Sequence, residues 1–312
     1  MRIGTNTRSF TQYFKQNYDM YLLLIPALVY IFIFNIIPLQ GIVLAFKDYN
    51  MFIADSPWKS IGASEWVGFK HFINVFARSD FKRALSNTII ISAYKIVFLF
   101  PLPIIFAVLL NEVRSIKFQK GLQTVVYLPH FLSWTVIAGI FISLLGSTGV
   151  VNAALVNLGF DKVKFLMDNS VFREVLIFTA GWKETGWNSI VYFAAIAGLD
   201  QECYEAAYID GAGRFQRMWY VTLPGLLPTV VVLLIIRVGA FMSAGFSQIF
   251  AMYNPTVYES ADIIDTFVYR IGLGKMDFST GTAVGLFNSL IGLALVLFTN
   301  RISKKLIGRS IW

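Results

Sequence analysis

Six stretches of this 312-residue chain are each long and apolar enough to cross a bilayer, and they constrain its fold more than any motif does. They run 21–46, 88–110, 122–145, 175–198, 226–253 and 280–299. A hydrocarbon core about 30 Å thick takes about 20 residues of helix to cross. Composition agrees: only 14% of residues are charged, against about 25% in soluble domains, so the stretches have little to solvate them in water. The fourth is the weakest, because Lys183, Glu184 and Asn188 interrupt it. The expected fold class is an all-α membrane protein of six transmembrane helices, multi-pass in a plasma membrane. Short to moderate connections make it one membrane domain, 21–299, between end segments 1–20 and 300–312. The first stretch is too long for a signal peptide and lacks an obvious small-residue cleavage site, so it should remain as a helix.

Charge sets the orientation. With six spans both ends lie on one side, and the short pieces decide which. Arg114, Lys117 and Lys120 crowd one loop, and Lys304, Lys305 and Arg309 crowd the tail. Arg2, Arg8 and Lys15 precede the first span. The resulting Lys/Arg excess is modest, and it places both termini and the 199–225 loop in the cytoplasm. The segments 47–83, 146–174 and 254–279 are then external. This distribution accounts for the net charge of +8 better than a nucleic-acid partner does. Cys203 is the sole cysteine, which excludes an intramolecular disulfide and a cysteine-built metal site. His71 and His130 have no ligand-like spacing. No internal repeat is visible, which weakens the case for a secondary transporter.

The 199–225 loop reads as helix, break, helix, stop. Asp200 is placed to cap a helix over 201–210, with Glu202 in its first turn. Gly211 and Gly213 end that helix, a second short helix follows over 214–220, and Pro224 and Pro228 mark the start of the fifth span. Such a loop could be an ordinary connector with an amphipathic helix on the membrane. Its spacing is more specific. Glu205-Ala206-Ala207, three residues, Gly211, nine residues, then Val221-Thr222-Leu223-Pro224 arises by chance in roughly one in 10⁷ windows or less at average residue usage.

That pattern closely resembles the EAA loop of ABC importer permeases. Trp66-Val67-Gly68 with Phe72, Asn111-Glu112, Tyr127-Leu128-Pro129-His130, and the run from Trp182 to Asn188 into Ala194-Ala195-Ile196-Ala197-Gly198-Leu199-Asp200 extend the resemblance to oligosaccharide permeases of the carbohydrate-uptake type. Nearly the whole chain is covered. One departure is Gln201, where such sequences often carry Pro. The resemblance implies a type I importer permease fold in a bacterial cytoplasmic membrane. It implies a coupling helix docked on a separate ATP-binding-cassette ATPase dimer, with Glu205 as the polar contact, Ala206 and Ala207 giving close packing, Tyr208 and Asp210 beside them, and Gly211 making the turn. It further implies a second EAA-bearing permease, an extracytoplasmic solute-binding protein and a sugar or oligosaccharide cargo. No Gly-x-x-x-x-Gly-Lys-Ser/Thr loop exists here, and Gly274-Lys275 is followed by Met276. The chain should therefore hold no cofactor and be no enzyme, with ATP and Mg bound by the partner ATPase.

Four ionisable residues fall inside the spans: Lys95, Lys183, Glu184 and Arg237. Each costs roughly 3 kcal/mol at the centre of a lone helix, so they should face a cavity or one another. Glu184, Asn188 and Tyr192 recur every four residues of the fourth span. Arg237, Phe241, Ala244 and Gln248 have helical spacing on the fifth. Polar groups beside an aromatic suit a sugar, so these stripes, with Lys95 and Trp187, are the candidate substrate path. Trp134, Trp182 and Tyr94 are further stacking candidates. The competing readings are a structural ion pair of Glu184 with Arg237 or Lys95, tryptophans as interface anchors, and a channel or proton-coupled transporter using Lys183 and Glu184. Gly281, Gly285 and Ser289, four apart on the sixth span, form a small-residue face for packing.

Overall fold

The computed structural model describes residues 17–307. Residues 1–16, with Arg2, Arg8 and Lys15, and residues 308–312, with Arg309, lie outside the described residues. The described chain is helical apart from a two-residue antiparallel ribbon that pairs Lys47–Asp48 (β1) with Glu65–Trp66 (β2). Helix α1 spans Tyr18–Phe46, α2 Pro57–Ala63 and α3 Lys70–Ala77. Helix α4 spans Ser79–Asn111, α5 Ile116–Tyr127, α6 Trp134–Leu145, α7 Val150–Asn157 and α8 Phe172–Ala197. Then come α9 over Gln201–Ile209, α10 over Arg214–Gly239, α11 over Phe246–Met252, α12 over Tyr258–Ala261, α13 over Ile264–Val268 and α14 over Phe278–Ile307.

Five helical stretches are long and apolar enough to cross a membrane: Tyr18–Phe46, Ser79–Asn111, Trp134–Asn157, Arg214–Gly239 and Phe278–Lys305. The expected fourth span corresponds to α8, which is long enough at 26 residues but too polar to join that set. Two expected boundaries need correction. The 122–145 stretch is not one helix: α5 gives way to a 3-10 turn at Leu128–Phe131, and α6 starts afresh behind the Ser133 cap. Pro129 has no N–H to continue the ladder. The 226–253 stretch is also divided. Helix α10 begins at Arg214, twelve residues early, and stops at Gly239; after a break at 240–245, α11 begins behind Gly245 at φ +100°.

Prolines explain another regularity. Widened π turns at Phe32–Ile36, Lys95–Leu99 and Met218–Thr222 each end two residues before a proline: Pro38, Pro101 and Pro224. A proline ring clashes with the carbonyl four residues back and leaves it without a donor, and an extra residue in the preceding turn relieves both. The helices bend there without ending.

The core is three local clusters. Ile137 and Phe141 of α6, Phe172 and Leu176 of α8, and Ile249 and Met252 of α11 form the first. Phe81, Phe267, Ile271 and Val284 centre the second. Ala107 and Val108 of α4 meet Tyr192 and Ile196 of α8 and Leu226 of α10 in the third. Glycines set the tightest crossings. A Cβ at Gly186 would lie 2.2 Å from the Val126 carbonyl oxygen, so α8 crosses α5 at backbone contact. On α14, Gly281 packs on Gly272, as its small-residue spacing suggested; Gly285 faces open space. The segment 254–273 is pinned by polar bonds. Asp262, fully buried, accepts from Arg270 at 2.6 and 3.0 Å, while Asn87 donates to the carbonyls of Glu259 and Asp262 and accepts from Arg173. The hydrogen bond to Asp262 raises the Arg270 pKa above its ordinary value.

Candidate functional site: a polar cavity and an exposed loop

A cavity of about 250 Å³ opens between α4, α8 and α10. Helix α8 contributes Glu184, Asn188 and Tyr192, which share a face because they lie one turn apart, and Trp187 beside them. Helix α10 contributes Leu233, Ile236 and Arg237, Ala240 follows at the start of the break, and α4 contributes Lys95 with Pro103. The structure thus brings together Lys95, Glu184, Trp187, Asn188, Tyr192 and Arg237 of the sequence-derived path. The lining is apolar wall with a few convergent polar groups, the usual make-up of a small-molecule site.

Phe241 and Gln248 do not line this cavity, although Phe241 lines a separate, much smaller pocket with Lys95 and Arg237. The break at 240–245 removes them from the helix that carries Arg237, so the expected stripe through Arg237, Phe241, Ala244 and Gln248 is not one helical face. Phe241 packs against the second core cluster. Gln248 is 1% exposed, and its amide is consumed by Lys95, the Leu176 carbonyl and Thr179.

The cavity charges are not paired with one another. Among the described residues Glu184 forms no ion pair with Lys95 or Arg237, contrary to the structural-pair alternative. Lys95 is held by neutral groups, donating to the Ala244 carbonyl at 2.8 Å and to Gln248 Oε1 at 2.6 Å. No hydrogen bond joins the Arg237 or Glu184 side chain to another described residue. The cavity therefore carries two cations against one anion.

Lys183 has a different role, which the sequence did not reveal. It is buried and donates to the carbonyls of Pro129, His130 and Leu132 at 3.3, 2.7 and 2.6 Å. A helix end leaves such carbonyls without intrahelical partners, and a cation there also suits the dipole. Lys183 is the cap of the broken α5–α6 passage, and it lies over the Trp134 ring at 5.5 Å. Its three donors are occupied, so it forms no joint ion site with cavity-facing Glu184. The tryptophans divide similarly. Trp187 stacks on His130 with centroids 4.3 Å apart, Trp182 meets Phe141 edge-on, and Tyr94 packs against Phe98.

The loop forms largely as its sequence predicts. Asp200 Oδ1 accepts from the Glu202 amide at 2.9 Å, and α9 follows. The helix ends at Gly211, φ +78°, with Gly211 N–H donating to Tyr208 O and Ala212 N–H to Ala207 O. These are the two bonds of a Schellman end, whose left-handed residue is normally glycine. The second helix does not stop at 220 but runs on as α10, so loop and span share one rod. Tyr204 bonds Thr222 through their hydroxyls at 2.9 Å, and Arg214 lies 3.8 Å from Glu112, joining the loop to the end of α4. No residue of α9 is buried. Glu205, Ala206 and Asp210 are exposed, Ala207 is half-buried, and Tyr208 and Ile209 are 69% and 83% exposed. Glu205 forms no hydrogen bond or ion pair with a described residue. Phe215, Trp219 and Tyr220 continue the exposed apolar surface onto α10.

Comparison with known proteins fits this arrangement. The profile of the family described as "Binding-protein-dependent transport system inner membrane component" matches residues 20–308. Protein LplB of Bacillus subtilis (strain 168) is 45% identical over 292 residues, 93% of this chain and 90% of that protein. The polygalacturonan/rhamnogalacturonan transport system permease protein YteP of the same organism is 42% identical over 93% of this chain and 89% of its own length. A chain of the bacterial alginate ABC transporter, crystallised in complex with alginate pentasaccharide-bound periplasmic protein, superposes with a TM-score of 0.88 at 39% identity, covering 97% of this chain and 100% of that one. YteP is a transport system permease and the alginate protein an ABC transporter, which leaves the proton-coupled alternative without support. They also place this chain as a membrane component and not a catalytic one. The chain belongs to the binding-protein-dependent transport system inner membrane component family.

Proposed function

We propose that this chain forms half of the translocation pathway of an ATP-driven importer and that its cargo is an acidic oligosaccharide. All six sequence-derived stretches, α8 included, span the membrane in this reading, with both termini and the 199–225 loop in the cytoplasm. A second EAA-type permease completes the pathway, an extracytoplasmic solute-binding protein delivers cargo, and an ATPase dimer binds ATP and Mg. The single observation that carries the coupling role is α9 itself. It is a capped helix with no buried residue, presenting Glu205, Tyr208 and Ile209 outward, yet it is continuous through Gly211 with the rod that carries Arg237. A push on α9 reaches the rod that carries Arg237 through the 211–213 turn and the Tyr204–Thr222 hydroxyl pair.

The cavity supports the choice of cargo. Arg237 and Lys95 outnumber Glu184, and Asn188, Tyr192 and Trp187 supply hydroxyl partners and an aromatic surface. Its volume lies just below the roughly 300–1,000 Å³ of complete small-molecule sites, as suits one half of a shared pathway. Two relatives handle acidic polysaccharides, polygalacturonan/rhamnogalacturonan and alginate, by their descriptions.

The coupling role is tested in the assembled importer. Glu205→Ala and Gly211→Leu are expected to abolish cargo-stimulated ATPase activity while the chain still inserts and assembles. Normal stimulation in both variants would sink the proposal.

A further inference from the structure

We infer that Lys95 is a positioning residue that ties the content of the cavity to the break at 240–245, so that an anionic cargo loosens the very segment Lys95 holds. The inference rests on the reading of the cavity as the cargo path.

Lys95 sits on the π turn of α4, 5% exposed, and is part of the cavity wall. Its ammonium donates to the Ala244 carbonyl, inside the break, and to Gln248, inside α11. Gln248 then donates both amide hydrogens to α8, at 2.6 Å to the Leu176 carbonyl and 2.8 Å to Thr179 Oγ1. One chain of hydrogen bonds therefore fastens α4, the break, α11 and α8. The backbone closes around the ammonium so tightly that a Cβ at Gly245 would lie 2.6 Å from Lys95 Nζ, and φ +100° there favours glycine in any case.

Both partners of Lys95 are neutral. An ammonium offers three donors, and two are engaged here. The present bonds have an ionised donor but a neutral acceptor, and a cargo carboxylate adds the opposite charge, so it competes favourably for the ammonium. As Lys95 turns to the cargo, Ala244 and Gln248 lose their donor, and α11 is freed from α4. A neutral cargo has no such leverage. The same cation thus reads the charge of the cargo and holds the joint between α10 and α11.

The test uses the complete importer in proteoliposomes, with an oligogalacturonate and its carboxyl-reduced counterpart as probes. Lys95→Met keeps the length and removes the donors. It is expected to raise cargo-free ATPase activity at least about fivefold and to remove the further response to oligogalacturonate, whereas Lys95→Arg retains the response. Gln248→Glu gives Lys95 a charged partner and keeps the joint closed. It is expected to lower the maximal uptake rate at least about fivefold with half-saturation unchanged. Wild-type cargo-free activity in an assembled Lys95→Met importer would overturn the inference. So would a Gln248→Glu importer with an unaltered maximal rate, which also decides the matter if Lys95→Met fails to assemble. A wild-type importer that ignores oligogalacturonate would count against the acidic-cargo reading instead, and the cargo-free arm still tests Lys95.

Discussion

The cavity and the 199–225 loop sit at two ends of one rod, α10, and treat charge in opposite ways. In the helical body, Lys95 and Lys183 are buried and bound to backbone carbonyls and one side-chain amide of other segments. In the loop, Glu205 and Asp210 are exposed, and the fastening to the body is one hydroxyl pair and one long ion pair. Charges buried away from the cavity and from water must find partners within the chain, because lipid supplies none. Groups on the loop can remain unsatisfied until another protein arrives. The contrast teaches which charges to read as structure and which as contact.

The sharpest way to break the contrast is Lys183→Met. It strips the ammonium from the carbonyls of Pro129, His130 and Leu132, of which Pro129 keeps the Leu132 N–H, and is expected to cost about 3 kcal/mol. Lower thermal stability of the purified complex, largely restored by Lys183→Arg, checks it. Unchanged stability would return Lys183 to the list of contact residues. Tyr204→Phe probes the loop's fastening. Losing the bond to Thr222 is worth about 1 kcal/mol, and cargo-stimulated ATPase activity should fall by about fivefold with cargo affinity unaltered. Glu184→Gln removes the negative charge from the cavity, and half-saturation for oligogalacturonate should drop by about threefold. Weaker uptake would show that Glu184 bonds cargo directly. The smallest effect belongs to Gln201→Pro, which restores the residue common at the start of this helix. Proline fits the first helical position, so the change should stabilise the loop by no more than about 0.5 kcal/mol and leave transport unchanged.

The two regions were also unequally legible. The loop is contiguous, and its signals act within a few residues: the Asp200 cap, the Gly211 turn and the Ala207–Ala212 bond are all local chemistry. Glu184, Asn188 and Tyr192 were legible for the same reason, since one helical face needs only its own period. The stripe beyond Arg237 failed because its period was assumed to continue through 240–245. There the chain turns at Gly245 and is held by Lys95, 149 residues away from Ala244. Nothing near Gly245 in sequence announces that partner. The division of the third stretch had a local sign in Pro129, but its cap, Lys183, comes from a helix 51 to 54 residues further on. The π turns before Pro38, Pro101 and Pro224 were within reach of the sequence, because proline's missing donor and fixed ring act on the preceding turn.

In the proposed function the cavity chooses the cargo while the loop transmits its arrival. The most direct test compares Arg237→Ala with Glu205→Ala in the reconstituted importer, measuring ATPase stimulation by oligogalacturonate and by its carboxyl-reduced form across a concentration range. Arg237→Ala should reduce the preference for the charged form, raising its half-saturation by about tenfold, while saturating stimulation survives through Lys95. Glu205→Ala should abolish stimulation by either form in a fully assembled complex. A Glu205→Ala importer that is stimulated normally, or an Arg237→Ala importer whose preference for the charged form is undiminished, would overturn this reading.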